Sequence, residues 1–192
     1  MEQSRRSLLC LAAGGGAALA VGAAEQPKER LLTAADHFDI GDRGPQMVAK
    51  AQALAREYIG KQKNCAQATI AALQDAIEFV PKDDTLFLAG TCLHGGATAS
   101  HNANCGAFTG AAIVIGGLCG RTRAKAGDPA EMALATKLIR EISGRWDQAY
   151  GCVICKDVRA KVSEKCAELV GQTAGWAAET LLKQFAGPPP AA

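Results

Sequence analysis

Gly95-Gly96, then Asn104-Cys105-Gly106-Ala107-Phe108-Thr109-Gly110, then Ile115-Gly116-Gly117: these fragments of the stretch from Gly95 to Gly120 decide the fold. A glycine-paired loop runs into a cysteine, and the cysteine opens a helix-like apolar run whose small residues recur at Gly106, Gly110 and Gly117. A glycine inside a helix lowers stability by about 1 kcal/mol relative to alanine. In exchange it permits close backbone approach, bringing a neighbouring element, or a bound inorganic group, against the helix start. Cys105 stands at that start, where unpaired backbone N–H groups and the helix dipole favour a thiolate. Taken alone, the stretch describes a tightly packed helix pair with a buried, inert cysteine. The other cysteines shift the balance.

Outward from this helix the pattern stays helical. Pro45 is a helix-opening residue, and Met47, Val48, Ala51, Leu54, Ala55 and Ile59 follow a helical period from Gln46 to Ile59. Asn64 is an N-cap for a second helix through Ile70, Leu73, Ala76, Ile77 and Val80, with Cys65 in its first turn and Pro81 ending it. A third, short helix begins at Leu86-Phe87-Leu88-Ala89 and runs into the turn that carries Cys92 and His94. On the other side, Asp128-Pro129-Ala130-Glu131 has the cap, the first-position proline and the acid three residues on that mark a helix start. Its apolar face is Met132, Leu134, Ala135, Leu138, Ile139 and Ile142. Ser163 or Glu164 starts the last helix, with Cys166 in its first turn and Leu169, Val170, Ala174, Ala177, Ala178, Leu181 and Leu182 facing the core. No stretch alternates with period two. The expected class is all-α, a compact bundle of about five or six helices with the glycine-rich loop leading into the Cys105 helix.

The composition agrees. Aromatic residues are 5% of the 192-residue chain while Gly and Ala are abundant, which fits close-packed helices and fits a β-sandwich poorly. Net charge is +2 with no long single-sign block, so no nucleic-acid surface is expected. Eight cysteines is a high count. A helical chain of this size builds a core without disulfide staples, so the cysteines call for a chemical explanation.

Residues 1–24 have the charged start, short apolar centre and small-residue end of an export signal, and Ser4-Arg5-Arg6-Ser7-Leu8-Leu9 resembles the bacterial twin-arginine signal. That route carries folded proteins, often already loaded with a cofactor, and implies a periplasmic location. The apolar run is shorter than the roughly 20 residues of a spanning helix, so no membrane span is expected in the mature chain. Cys10 precedes the apolar run and leaves with the signal. Residues 25–44 read as a polar, surface-hugging or loose arm, 45–185 as the cysteine-bearing domain, and 186–192 as a proline-rich tail.

Cys65, Cys105 and Cys166 each fall at or near the start of an expected helix, and Cys155 lies in a turn or short helix before the last one. Helix N-termini stabilise thiolates, and thiolates bind metals or attack disulfides. If these helix ends meet, the pocket suits an iron–sulfur cluster or zinc. The spacings lack the paired short gaps of a zinc ribbon or ferredoxin, so scattered buried cysteines remain an alternative by spacing alone. Cys152-Val153-Ile154-Cys155 is a second candidate, a redox dithiol in which one thiolate attacks and the other resolves a mixed disulfide. Cys92 and His94 flank the glycine loop and could stand behind the ligands or replace one, although a lone His in a turn is more often solvated; Cys119 reads as core, and His37 and His101 carry no motif. No serine–histidine–acid set or paired carboxylates stand out, and the glycine loop lacks the Lys-Ser/Thr of a P-loop.

With these residues in place the chain resembles the C_GCAxxG_C_C family of redox-active proteins. Cys105-Gly106-Ala107-Phe108-Thr109-Gly110 matches the family's CGAxxG motif, Asn64-Cys65-Ala66-Gln67-Ala68 resembles its first cysteine segment, and Gly95-Gly96 its glycine turn. Tyr150-Gly151 through Cys155-Lys156-Asp157 resembles the third cysteine segment, and Lys165-Cys166-Ala167-Glu168-Leu169-Val170 the fourth. The likeness spans about residues 45–185. It implies a cluster site with Cys65, Cys105, Cys155 and Cys166 as ligands, Gly95, Gly96, Gly106 and Gly110 around it, and electron transfer with a redox partner protein of unknown identity. The same domain resembles the body of split-Soret cytochromes, which with the small-residue helices implies a homodimer. No Cys-x-x-Cys-His is present; Cys152-Val153-Ile154-Cys155-Lys156 resembles the lysine-type haem attachment of ammonia-forming nitrite reductases, so haem c on Cys152, Cys155 and Lys156 is a minor alternative. Thiolates holding Zn or Cu(I) without redox work form another.

Overall fold

Three of the helices begin where the sequence places a capping or φ-restricting residue. The computed structural model describes residues 31–162 and 166–187. Residues 1–24, read as an export signal, residues 25–30 of the arm, the expected helix start at Ser163 or Glu164, and residues 188–192 of the tail lie outside the described residues. The protein is all-α: the described residues are 71% helical, with seven α-helices and no strand among them, only isolated bridges at Phe38–Ala186 and Asn104–Ile154. The described residues belong to one compact unit.

The helices are α1 (Gly44–Gln62), α2 (Cys65–Ala76), α3 (Asp84–Ala89), α4 (Gly106–Cys119), α5 (Ala133–Tyr150), α6 (Cys155–Lys161) and α7 (Cys166–Phe185). The total exceeds the sequence expectation because the segment after Cys155 forms a separate helix of its own. Pro45 occupies the first turn of α1, as a residue without an N–H to lose. Asn64 caps α2, its Oδ1 accepting from the N–H groups of Ala66 and Gln67, both at 3.1 Å. Asp83 caps α3 through Thr85 N.

Two boundaries differ from expectation. Helix α2 stops at Ala76, not near Pro81, because Ile77 is extended (φ −106°, ψ 119°). The early break still buries both Ile77 and Val80. Helix α5 starts at Ala133, after a 3-10 turn over Ala130–Met132. Asp128 does cap, accepting from Ala130 N at 2.9 Å. Its own N–H, however, donates to Lys125 O at 3.0 Å, and Glu131 pairs with Lys125 instead of reaching back.

Helix α1 packs on α7 and α2, and α2 in turn on α4, while α5 lies across α4 and α7. The α2–α4 contact is backbone to backbone: a Cβ at Gly110 would sit 2.5 Å from Ala66 O. The core is filled by Ile70, Leu73, Val114, Ile115, Leu138, Ile142, Trp146, Leu181 and Phe185. The described part of the arm is not loose. Leu32 N donates to Leu118 O at 2.7 Å, Phe38 N to Phe185 O at 2.7 Å, and Gly187 N to Phe38 O at 3.1 Å. Phe38 stacks on Phe79 at 4.7 Å, and Phe79 meets Phe185 edge-on. Among the described residues no helix is long and apolar enough to cross a membrane.

Candidate functional site: a thiol cluster at three helix starts

Three cysteines meet because three helices start at one place. Cys65 is the first residue of α2 and Cys155 the first of α6, while Cys105 occupies the cap position of α4. The register between Cys105 and Cys155 is set by backbone pairing: Cys105 N donates to Val153 O at 2.8 Å, Cys155 N to Ala103 O at 2.9 Å, and Lys156 N to His101 O at 3.0 Å. This short antiparallel pairing between 101–105 and 153–156 brings together sulfurs fifty residues apart in sequence. Cys105 and Cys155 are each 3% exposed, and Cys65 is half-buried.

Glycines make the approach close enough. A Cβ on Gly106 would lie 2.4 Å from the Cys65 Sγ and 2.7 Å from Leu93 O. A Cβ on Gly96 would lie 2.9 Å from that of Cys155. Gly95 and Gly96 both have left-handed backbone, φ 60° and 71°, which turns the loop over the site. Gly110, one turn further along α4, serves the helix crossing and not the sulfurs.

Electrostatics divide the three thiols unequally. The hydrogen bond from Cys105 lowers the Cys65 thiol to about 6 against the opposing effect of burial, helped by backbone N–H groups of Gly95, Cys65 itself and Gly106. Cys155 is lowered to about 7, again chiefly by Cys105; burial and the Cys65 charge oppose this, and His101 and Arg159 assist it. Cys105 moves the other way, its proton held by the bonds to Cys155 and Cys65 and by burial. One buried thiol proton thus serves two thiolates. His101 braces the arrangement: its Nδ1 meets Gly95 O at 2.5 Å and its Nε2 lies 3.3 Å from an Arg159 Nη1.

Of the residues expected at the site, the structure joins Cys65, Cys105 and Cys155 and sets Gly95, Gly96 and Gly106 against them. Cys166 is the first residue of α7 and half-buried. Cys155 is bonded to Cys105, whereas Cys152 is half-buried against the core. Cys92 and His94 are exposed. Cys119 is a core thiol, bonded to Ile115 O at 3.3 Å and raised to about 11 by burial. In the sequence His101 carries no motif and nothing local marks Arg159; only the backbone pairing carries them to Cys155.

Soft thiolates at helix starts are the donor chemistry an iron–sulfur cluster, zinc or Cu(I) takes. Among the described residues no set of three or more Cys, His, Asp and Glu side chains is arranged to hold a metal ion. Of the three thiols, Cys105 interacts with both of the others. No curated protein and no solved structure matches the chain. A family model described as "Putative redox-active protein (C_GCAxxG_C_C)" matches residues 63–180, well over half of the length and all four of Cys65, Cys105, Cys155 and Cys166. The chain therefore belongs to the C_GCAxxG_C_C family of redox-active proteins.

Proposed function

We propose that this protein transfers electrons through an iron–sulfur cluster held by Cys65, Cys105, Cys155 and Cys166. The observation that carries the proposal is the meeting of three cysteines from three helix starts, two of them favoured as thiolates near neutral pH. When bound, such a cluster exchanges one electron with little movement of its surroundings. The protein's own residues do the rest. Cys65 and Cys155 offer sulfur already deprotonated, while Cys105 must release its proton as it becomes a ligand. The N–H groups of Gly95 and Gly106 point at the Cys65 sulfur and stabilise negative charge there. Burial of Cys105 and Cys155 keeps water from the centre.

The test is anaerobic purification of the full chain, followed by a visible spectrum and analysis for iron, sulfide, zinc and copper. Broad absorption between about 320 and 450 nm with matched iron and acid-labile sulfide supports the proposal. A colourless protein with titratable thiols overturns it, zinc or copper alone moves it to metal holding, and a sharp Soret band moves it to haem on Cys152, Cys155 and Lys156. The proposal extends to the leader: if residues 1–24 export the folded, loaded chain, replacing Arg5 and Arg6 by Lys leaves it in the cytoplasm, read by cell fractionation.

The direct links from Cys105 to Cys65 and to Cys155 favour a second mechanism, thiol–disulfide exchange. The Cys65 thiolate attacks a substrate disulfide, forming a mixed disulfide and expelling the other half as a thiolate. Cys105 then loses its proton and attacks the Cys65 sulfur, releasing the second thiolate and leaving a Cys65–Cys105 disulfide. In this mechanism Cys105→Ser removes turnover, whereas Cys152→Ser removes it if the partner of Cys155 is Cys152. Following thiol loss on addition of a small aromatic disulfide separates the two.

A further inference from the structure

Tryptophan and tyrosine are scarce in this chain, two of each among 192 residues. Both tryptophans and one tyrosine nevertheless form one continuous series of rings beside the thiol cluster. Phe108, one turn after Cys105 on α4, meets Trp146 of α5 edge-on with centroids 5.9 Å apart. Trp146 meets Tyr150 at 5.1 Å, and Tyr150 meets Trp176 of α7 at 6.2 Å. Burial, with a further contribution from Cys105, raises the Tyr150 phenol. Trp146 is fully buried and Trp176 half-buried, so the series runs from the core to the surface.

The polar atoms along the series differ in a way that matters for radical chemistry. Trp146 Nε1 is buried without a hydrogen-bond partner. An indole oxidised there has no acceptor for its proton, so it stays a radical cation and remains a strong enough oxidant to pass the charge on. The Tyr150 hydroxyl donates to the Gln172 amide oxygen. An amide is not a base, so Tyr150 keeps its proton and bridges the two indoles without trapping the radical.

We propose that Trp146 and Trp176, bridged by Tyr150, form a relay that carries a one-electron oxidising equivalent between the thiol cluster and the protein surface. Like the reading it rests on, this takes the cluster as the redox centre. When a one-electron oxidant such as a peroxide-derived radical takes an electron from Trp176 at the surface, the Trp176 radical takes one from Trp146, and the Trp146 radical cation takes one from a cluster thiolate, so both indoles return to their resting state and the sulfur becomes a thiyl. The thiyl bonds to a neighbouring cluster thiolate, and the disulfide radical anion so formed gives its extra electron to dioxygen, leaving a disulfide and superoxide. Electrons balance at each step.

The relay is tested from outside. Azide radicals generated by pulse radiolysis oxidise exposed indole in the reduced full-length protein, and transient absorption follows the indolyl radical. The expected result is intramolecular decay, independent of protein concentration, with matching loss of cluster thiols or bleaching of bound cluster. Trp176→Phe, at a half-buried and tolerant position, should lose most of that thiol oxidation. Trp146→Phe should form the surface radical but lose its intramolecular decay. Decay that depends on protein concentration in the unmodified protein, or thiol oxidation unchanged in Trp176→Phe, overturns the relay. Iron and sulfide content measured on the same samples reports the cluster assignment separately, because neither tryptophan is a ligand.

Discussion

At the scale of single residues the protein turns on one proton. The Cys105 thiol is buried and donates to Cys65 and Cys155, and this donation holds both below the ordinary thiol value of 9.0. Cys105→Ala removes the donor, so the Cys65 thiolate loses its main stabilising partner and its pKa rises toward that value. In metal-free protein, alkylation of Cys65 by iodoacetamide should persist in the parent down to about pH 6 and stop at distinctly higher pH in the variant. The sign follows from the charge: a hydrogen bond to the thiolate favours the ionised form, and its loss favours the thiol. A midpoint unchanged in Cys105→Ala would mean that the backbone N–H groups alone set the value. Gly106 belongs to the same scale, since any side chain there meets the Cys65 sulfur.

At the scale of elements, the site depends on where helices begin. Asn64 ties the start of α2 to the turn after α3: it accepts from Ala66 and Gln67 and donates to Thr91 O at 2.9 Å. It is 7% exposed, so these bonds have little competition from water. Asn64→Ala leaves buried N–H groups unsatisfied and should lower stability by about 2 kcal/mol in urea unfolding, at the upper end for a cap. Iodoacetamide alkylation of Cys65, next in the chain, should quicken at the same time. The starts of α2 and α4 are thus legible locally, through a capping side chain in one and the Cys-Gly step in the other. The ends were less so. Burial of Ile77 and Val80 by an early break of α2 is a tertiary solution, and no local pattern distinguishes it from a longer helix. The helix start at Asp128 is a similar case, because a bond to Lys125 takes the N–H that a capping box would use.

At the scale of the whole molecule, the chain closes on itself through Phe38, Phe79 and Phe185, with backbone bonds joining Phe38 to Phe185 and Gly187. The described part of the segment read as a surface-hugging or loose arm forms a seam with the last helix. Phe38→Ala should lower stability by about 2 kcal/mol, below a fully buried Phe→Ala because the ring is half-exposed. The thiols lie at the opposite ends of α2 and α4 from this seam, so their alkylation rates should not change. Surface ion pairs such as Arg56–Glu168 at 3.0 Å join α1 to α7 but contribute little by comparison.

The sequence by itself determined the helical class, the cap at Asn64, the glycine spacing of α4, the inert core role of Cys119 and the family. Each of these rests on periodicity, local backbone preference or a contiguous motif, which act within a few residues. Only the tertiary structure decided that Cys105 lies between Cys65 and Cys155, that His101 and Arg159 stand behind Cys155, and that two tryptophans and a tyrosine line up beside them. Those contacts join residues tens of positions apart through the pairing of 101–105 with 153–156 and the packing of α4, α5 and α7. Loops of such length carry no local preference for which partner they meet; burial of the whole core makes that choice.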